Sequence, residues 1–194
     1  RRIAQKAYAK LGQVAQRAIE RLKDRDGLTL LDSGTSLGGA GTTLSASIIA
    51  SATARIGGNT TEPVLPPYYA VLHGFQVYDL AAELTSGVGT YNVEGGLTED
   101  VYRNYFKGKV SDAEVFSDGN ITIDASDDAK GGVFAKSSLV LVQGGAPAVK
   151  TEDKPGLGGG STMVYHYDDY GYGIRHGAAV GLFEVYSDAT APAG

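Results

Sequence analysis

The sequence predicts an α+β fold, and three observations carry that expectation. A long amphipathic helix opens the chain, two short apolar runs of buried-strand type lie in its middle, and two extended aromatic runs close it. At 194 residues, with 42% hydrophobic and 20% charged residues, the chain can bury a real core as one domain or as two small lobes sharing a sheet.

Arg2 to Arg25 reads as a helix, because Ala4, Tyr8, Leu11, Ala15, Ala18, Ile19 and Leu22 form an apolar stripe among Lys, Gln, Arg and Glu. Gly27, just past the basic turn of Arg21, Lys23 and Arg25, predicts its C-terminus. Leu28 to Leu31 fits either a short strand or an extension of the helix. Asp32 to Gly41 reads as a glycine-rich loop, with Thr42 and Thr43 offering an N-cap for a second helix, Leu44 to Arg55, closed by Gly57-Gly58.

Tyr68 to His73 is a compact apolar run expected to be a buried strand, with His73 packed and hydrogen-bonded at its end. Phe75 to Leu84 follows as a short helix with Val77, Leu80, Ala81 and Leu84 on one side. Thr98 offers a cap for a third helix bearing Val101, Tyr102, Tyr105 and Phe106. Ala113 to Phe116 and Ile121 to Ile123 flank Ser117-Asp-Gly-Asn120, a hairpin signal. Leu139 to Val142 reads as the second buried run, and residues 143 to 160 as a long loop. The runs Thr162 to Tyr167 and Ala178 to Tyr186 alternate with period two and are expected to pair and close a sheet.

Composition excludes several classes of function. The net charge of −5 and a pI of about 5.1 disfavour a dedicated nucleic-acid binder, whose affinity would come from clustered Lys and Arg. Without cysteine, neither a disulfide framework nor a thiolate zinc site can form. No apolar run approaches the roughly 20 residues that span a bilayer. The opening Arg1-Arg-Ile-Ala-Gln-Lys lacks the apolar segment of a secretory signal, and a start without Met suggests a processed product or a piece of a longer chain.

Motifs with chemical potential read weakly. Gly34-Thr-Ser-Leu-Gly-Gly-Ala-Gly-Thr-Thr43 has no Lys after its last glycine to reach a β/γ-phosphate, and Gly39-Ala-Gly41 lacks the third glycine of a dinucleotide fingerprint. A small α/β nucleotide-binding enzyme is therefore the least favoured reading. Gly156-Leu-Gly-Gly-Gly160 leads into a strand and not a helix. His166 and His176, with Asp168 and Asp169, could supply a metal site from neighbouring strands, but aspartates there fit turn chemistry better. No Gly-x-Ser-x-Gly elbow is present, and Asp127-Asp128 reads as turn or surface. The sequons Asn59-Thr-Thr61 and Asn120-Ile-Thr122 carry little without a secretory signal. No catalytic residue, cofactor or metal is expected. Twelve tyrosines and no Trp is the oddest feature; Tyr165, Tyr167, Tyr170 and Tyr172 fit either a core or a surface where two subunits meet.

The order of elements, with three stretches, resembles the major capsid proteins of tailed bacteriophages and their Hong Kong 97-type fold. Tyr68-Tyr-Ala-Val-Leu-His-Gly-Phe-Gln-Val-Tyr-Asp-Leu80 is similar to the family's central strand leading into a helix. Gly132-Val-Phe-Ala-Lys-Ser-Ser-Leu-Val-Leu-Val142 is similar to its Phe-Gly/Ala-Lys-x-Ala-Leu strand, and Val180-Gly-Leu-Phe-Glu-Val-Tyr186 to its last strands. The family's N-terminal arm, extended hairpin loop and part of the upstream spine helix have no counterpart.

The resemblance implies a peripheral lobe with a long helix and an axial lobe with a central sheet flanked by helices. It divides the chain into residues 1–58 (peripheral helix, loop and second helix), 59–143 (axial sheet and helices) and 144–194 (long loop and closing strands). It further implies a non-enzymatic structural protein whose copies tile as pentamers and hexamers into an icosahedral shell around packaged double-stranded DNA. That shell belongs to the virion and is assembled in the bacterial host cytoplasm. Portal, scaffold or decoration proteins are possible partners, DNA is touched non-specifically at most, and no membrane is involved. The alternative is an encapsulin-like nanocompartment shell. Tyr170, Tyr172, Arg175 and His176 are the candidate subunit contacts, on a connection expected to meet a neighbour.

Overall fold

The computed structural model describes residues 2–86, 108–154, 156, 161–175 and 180–192. The chain forms two compact units, one of Arg1–Asp26 with Leu141–Gly173 and one of Gly27–Val140 with Ile174–Gly194. The expected Thr98-capped helix and the Gly156 to Gly160 run fall largely or wholly outside the described residues.

Helix α1 spans Arg2–Thr29 and continues as a 3-10 turn, Leu30–Ser33. It runs through Gly27, where the sequence predicts an end. The cost of a helical glycine, about 1 kcal/mol, is outweighed because the next residues are anchored: Leu28 packs against Ile121, Ala129 and Ala189, and Leu31 is buried. The expected Asp32 to Gly41 loop instead holds strand β1 (Thr35–Gly38), which pairs in parallel with β10 (Leu182–Asp188). Helix α2 (Ala46–Gly57) starts after Ser45, later than the Thr42 or Thr43 cap expected, and the amide of Ala46 donates to the Glu83 carboxylate at 2.6 Å.

The second unit is built on a mixed sheet of order β1-β10-β5-β2-β4-β3 among the described residues. Its remaining strands are β2 (Tyr68–Leu72), β3 (Lys109–Val110), β4 (Ala113–Ser117) and β5 (Asp128–Ala135). Helix α3 (Gly74–Ser86) follows β2 as expected. Alternate residues of β2 (Tyr68, Ala70, Leu72), β4 (Ala113, Val115), β5 (Val133, Ala135) and β10 (Phe183, Val185) point to one face. There they meet Ile49, Ala52 and Ile56 of α2 and Val77 and Leu80 of α3 in one core.

Gln76 ties these layers together. Fully buried, it accepts from the His73 amide at 2.9 Å and donates to Ala129 O at 3.1 Å and Ser187 Oγ at 2.7 Å. An unpaired amide at that depth would cost about 1–3 kcal/mol, so the glutamine fixes α3 against β5 and β10.

Strand β5 carries the sheet's centre, although its sequence does not read as a strand. Gly131 and Gly132 depress strand propensity, yet packing requires them. A Cβ on Gly131 would sit 2.8 Å from Val71 O, and one on Gly132 would sit 2.8 Å from Leu31 Cδ2. The run expected to be buried, Leu139 to Val142, lies instead in β6 (Leu139–Gln143), where every residue after Leu139 is exposed.

The expected hairpin across Ser117-Asp-Gly-Asn120 is also corrected. The Asp118 carboxylate accepts from the Asn120 amide at 2.8 Å, so a turn forms. The chain beyond it leaves the sheet, however: Ile121 enters the small cluster with Ala129 and Ala189, and Ile123 bridges Ala129. The hairpin in this region is β3–β4, turned by Ser111 and Asp112 at φ 47° and 67°.

In the first unit the expected 143–160 loop holds strand β7 (Ala148–Lys154), which pairs antiparallel with β8 (Ser161–Tyr167) from Ala148↔Tyr167 to Lys154↔Ser161. Strand β9 (Tyr170–Ile174) occupies the expected aromatic connection and pairs with β6. The Gly144 amide donates to Asp169 O at 2.9 Å, so both pairs are stretches of one two-stranded ribbon. The two closing runs do not pair. β8 bonds to β7 in the first unit and β10 to β5 in the second.

Candidate subunit-contact surface

Within the first unit, α1 turns one side toward its own ribbon. Gly12, Ala15, Ile19, Lys23 and Asp26 recur every three or four residues and are half-buried, while the side chains described between them are exposed. Polar anchors hold the helix end. Lys23 Nζ forms an ion pair with Asp168, whose side chain is 4% exposed, and sits 5.1 Å above the Tyr170 ring. The Tyr170 hydroxyl donates to Asp26 Oδ2 at 2.7 Å, and that bond, aided by burial and the charge of Asp26, pushes the phenol up to about 12. A negative carboxylate that accepts the phenolic proton opposes its loss.

Of the four sequence candidates, Tyr170 and Tyr172 come together on β9, edge to face with centroids 5.8 Å apart. Burial and the nearby Asp24 raise the Tyr172 phenol. Arg175 follows β9 with an exposed side chain, and its amide donates to Ser138 O at 2.8 Å. His176 lies outside the described residues. Tyr170 is thus already engaged within its own unit, and sequence reasoning missed its partners Lys23 and Asp26 because they lie some 145 residues away in the chain.

Between Ala148 and Tyr167 the ribbon has exposed residues on each face. Tyr165 and Tyr167 stack with centroids 6.2 Å apart, and Lys150 lies 5.6 Å over Tyr167. Val149 and Val164 stand exposed on the opposite face. Such a ribbon has no core of its own, and an isolated pair of strands is marginally stable in water.

Internal contacts account for the glycine loop weighed for phosphate binding. In the glycine loop, a Cβ on Gly34 would lie 2.7 Å from Glu184 N, and Gly38 at φ +93° approaches Tyr186 O. The Gly41 amide donates to the buried Asp128 carboxylate at 2.7 Å. With Glu83 on the Ala46 amide at the α2 N-terminus, two donors that a phosphate could use are already bonded to carboxylates of this chain. Of the proposed metal ligands, Asp168 faces Lys23; no group of three His, Asp or Glu side chains among the described residues is arranged to hold a metal ion.

No family model matches the sequence. No curated protein matches it either. Solved structures do. A chain from Mycobacterium phage Che8 is similar with a TM-score of 0.65 and 20% identity, over 92% of this chain and 62% of that one. The acidic stable capsid of Helicobacter pylori bacteriophage KHP30 gives a TM-score of 0.63 at 14% identity, over 94% of this chain and 72% of that one. This chain has a phage-capsid fold. The capsid fold is shared with the encapsulin of the holo-SrpI complex of Synechococcus elongatus, at a TM-score of 0.59 and 9% identity, over 94% of this chain and 66% of that one. The chain therefore spans a little under two thirds of the Che8 chain it matches.

Proposed function

We propose that this chain is a major capsid protein of a tailed bacteriophage. Its copies assemble through the Hong Kong 97-type arrangement of pentamers and hexamers into an icosahedral shell around packaged double-stranded DNA. One observation carries the reading: over 94% of the chain the structure is similar to the capsid of Helicobacter pylori bacteriophage KHP30, at a TM-score of 0.63. The helix–ribbon unit serves as the peripheral lobe and the sheet unit as the axial lobe. Tyr172, Arg175 and His176, with Tyr170 bracing the helix, meet a neighbouring subunit. The role is structural, in the virion, after assembly in the host cytoplasm. No helix among the described residues is long and apolar enough to cross a membrane.

A second reading, an encapsulin-like shell enclosing cargo proteins, is favoured by the Synechococcus likeness. Expression of the complete reading frame followed by negative-stain microscopy tests both. Rings or closed shells are expected, and a protein that stays monomeric at high concentration overturns both readings. Particles carrying nuclease-protected DNA select the phage reading, and particles filled with protein select the encapsulin.

A further inference from the structure

The exposed side of α1 carries two rows of side chains, one apolar and one basic. Leu11, Val14 and Leu22 are 63%, 57% and 41% exposed, and with Ala18 they recur at spacings of three, four and four residues. They form one apolar line roughly 16 Å long at 1.5 Å per residue. Beside it, Lys10, Arg17, Arg21 and Arg25 recur at seven, four and four and are also exposed, although Arg21 and Arg25 make contacts within the chain as well. An apolar strip with arginines along its rim is the composition of a protein interface.

Charge identifies the occupant. Residues 1–26 carry eight Lys or Arg and three Asp or Glu, a balance of +5, while residues 27–194 carry nine and nineteen, a balance of −10. The sequence thus holds both halves of a complementary pair, a basic helix and an acidic body, and a second copy supplies the acidic half in equal number. A regular polyanion such as DNA would satisfy the basic row but leave Leu11, Val14 and Leu22 against water.

We infer that the exposed apolar and basic side of α1 docks on the acidic body of a second copy of this chain. The inference rests on the shell reading and specifies one of its interfaces. The sequence has no cysteine, so Val14→Cys and Leu22→Cys each introduce a unique reporter. Maleimide labelling of each is compared in dissociated subunits and in shells assembled without nucleic acid. Labelling at least tenfold slower in the shell is expected. In parallel, Lys10→Glu with Arg17→Glu is expected to lower shell yield at least tenfold while circular dichroism shows an unchanged fold. Equal labelling in subunits and shells overturns the inference and leaves the shell reading intact. Protection that appears only in DNA-filled particles also overturns it and assigns the face to nucleic acid. If the chain forms no oligomer at all, both fall together.

Discussion

The two units solve the problem of stability differently. In the sheet unit, Ile49, Ile56, Leu72, Leu80 and Val185 are wholly removed from water, and a buried glutamine locks α3 to two strands. In the helix–ribbon unit, none of the described residues reaches the same burial. Its order comes from a few polar ties, Lys23 to Asp168 and Tyr170 to Asp26, and from a seven-pair ladder. The contrast teaches that the sheet unit carries folding free energy in its core, whereas the helix–ribbon unit, on the proposed capsid reading, gains its burial on assembly.

The sharpest way to break this comparison is to delete apolar groups from each unit in the dissociated subunit. Leu72→Ala is expected to cost about 2–5 kcal/mol through the cavity it leaves, and Val149→Ala on the ribbon no more than about 0.5 kcal/mol. Denaturant midpoints give both, and a ribbon substitution as costly as the core one would refute the contrast.

A smaller effect is expected from Gln76→Leu, which strands the His73 amide and acceptors on Ala129 and Ser187. The expected loss is about 1–3 kcal/mol, read by thermal unfolding, with Gln76→Glu unable to restore the donors. Lys23→Met should loosen only the first unit, by on the order of 1–2 kcal/mol, because it leaves the buried Asp168 carboxylate without its cation. Hydrogen exchange over 15–26 should quicken while exchange in β5 and β10 stays unchanged.

The smallest predicted effect is alkaline, and both units share it. Tyr170 on Asp26 and Tyr186 on Asp124 each have a phenol pushed up to about 12 from the ordinary 10.0, chiefly by the hydrogen bond to the carboxylate. A phenol raised in the folded state contributes stability that is complete below pH 10.0 and is lost as pH climbs through about 12. A phenolate absorbance titration should therefore show late-ionising tyrosines. Tyr170→Phe should remove one of them without shifting Tyr186, and a titration with no late tyrosine contradicts both pairs.

Local reading located α1, α2, β2 and α3 to within a few residues, since each has an unambiguous apolar period or run. It failed where the deciding atoms are distant in sequence. Gly131 and Gly132 look like strand breakers until Val71 O and the Leu31 side chain are seen to occupy the space their side chains would need. Leu139 to Val142 looks buried, because apolar content does not reveal whether a partner layer covers the strand. The aromatic run from Tyr165 to Tyr172 was legible as a concentration of tyrosine. Its division into a stacked pair, Tyr165 and Tyr167, and a pair anchored through Tyr170 depends on Lys23 and Asp26, which no spacing argument could reach.

The sequence by itself determined the α+β class, the amphipathic strut, the acidic balance and the resemblance to capsid proteins, because periodicity, composition and short motifs are local properties. Only the tertiary structure decided the pairing of the strands, the role of the glycines and the division into a unit with a core and a unit that shows none among the described residues. Those depend on which distant surfaces exclude water from each other, and burial is a property of the folded whole.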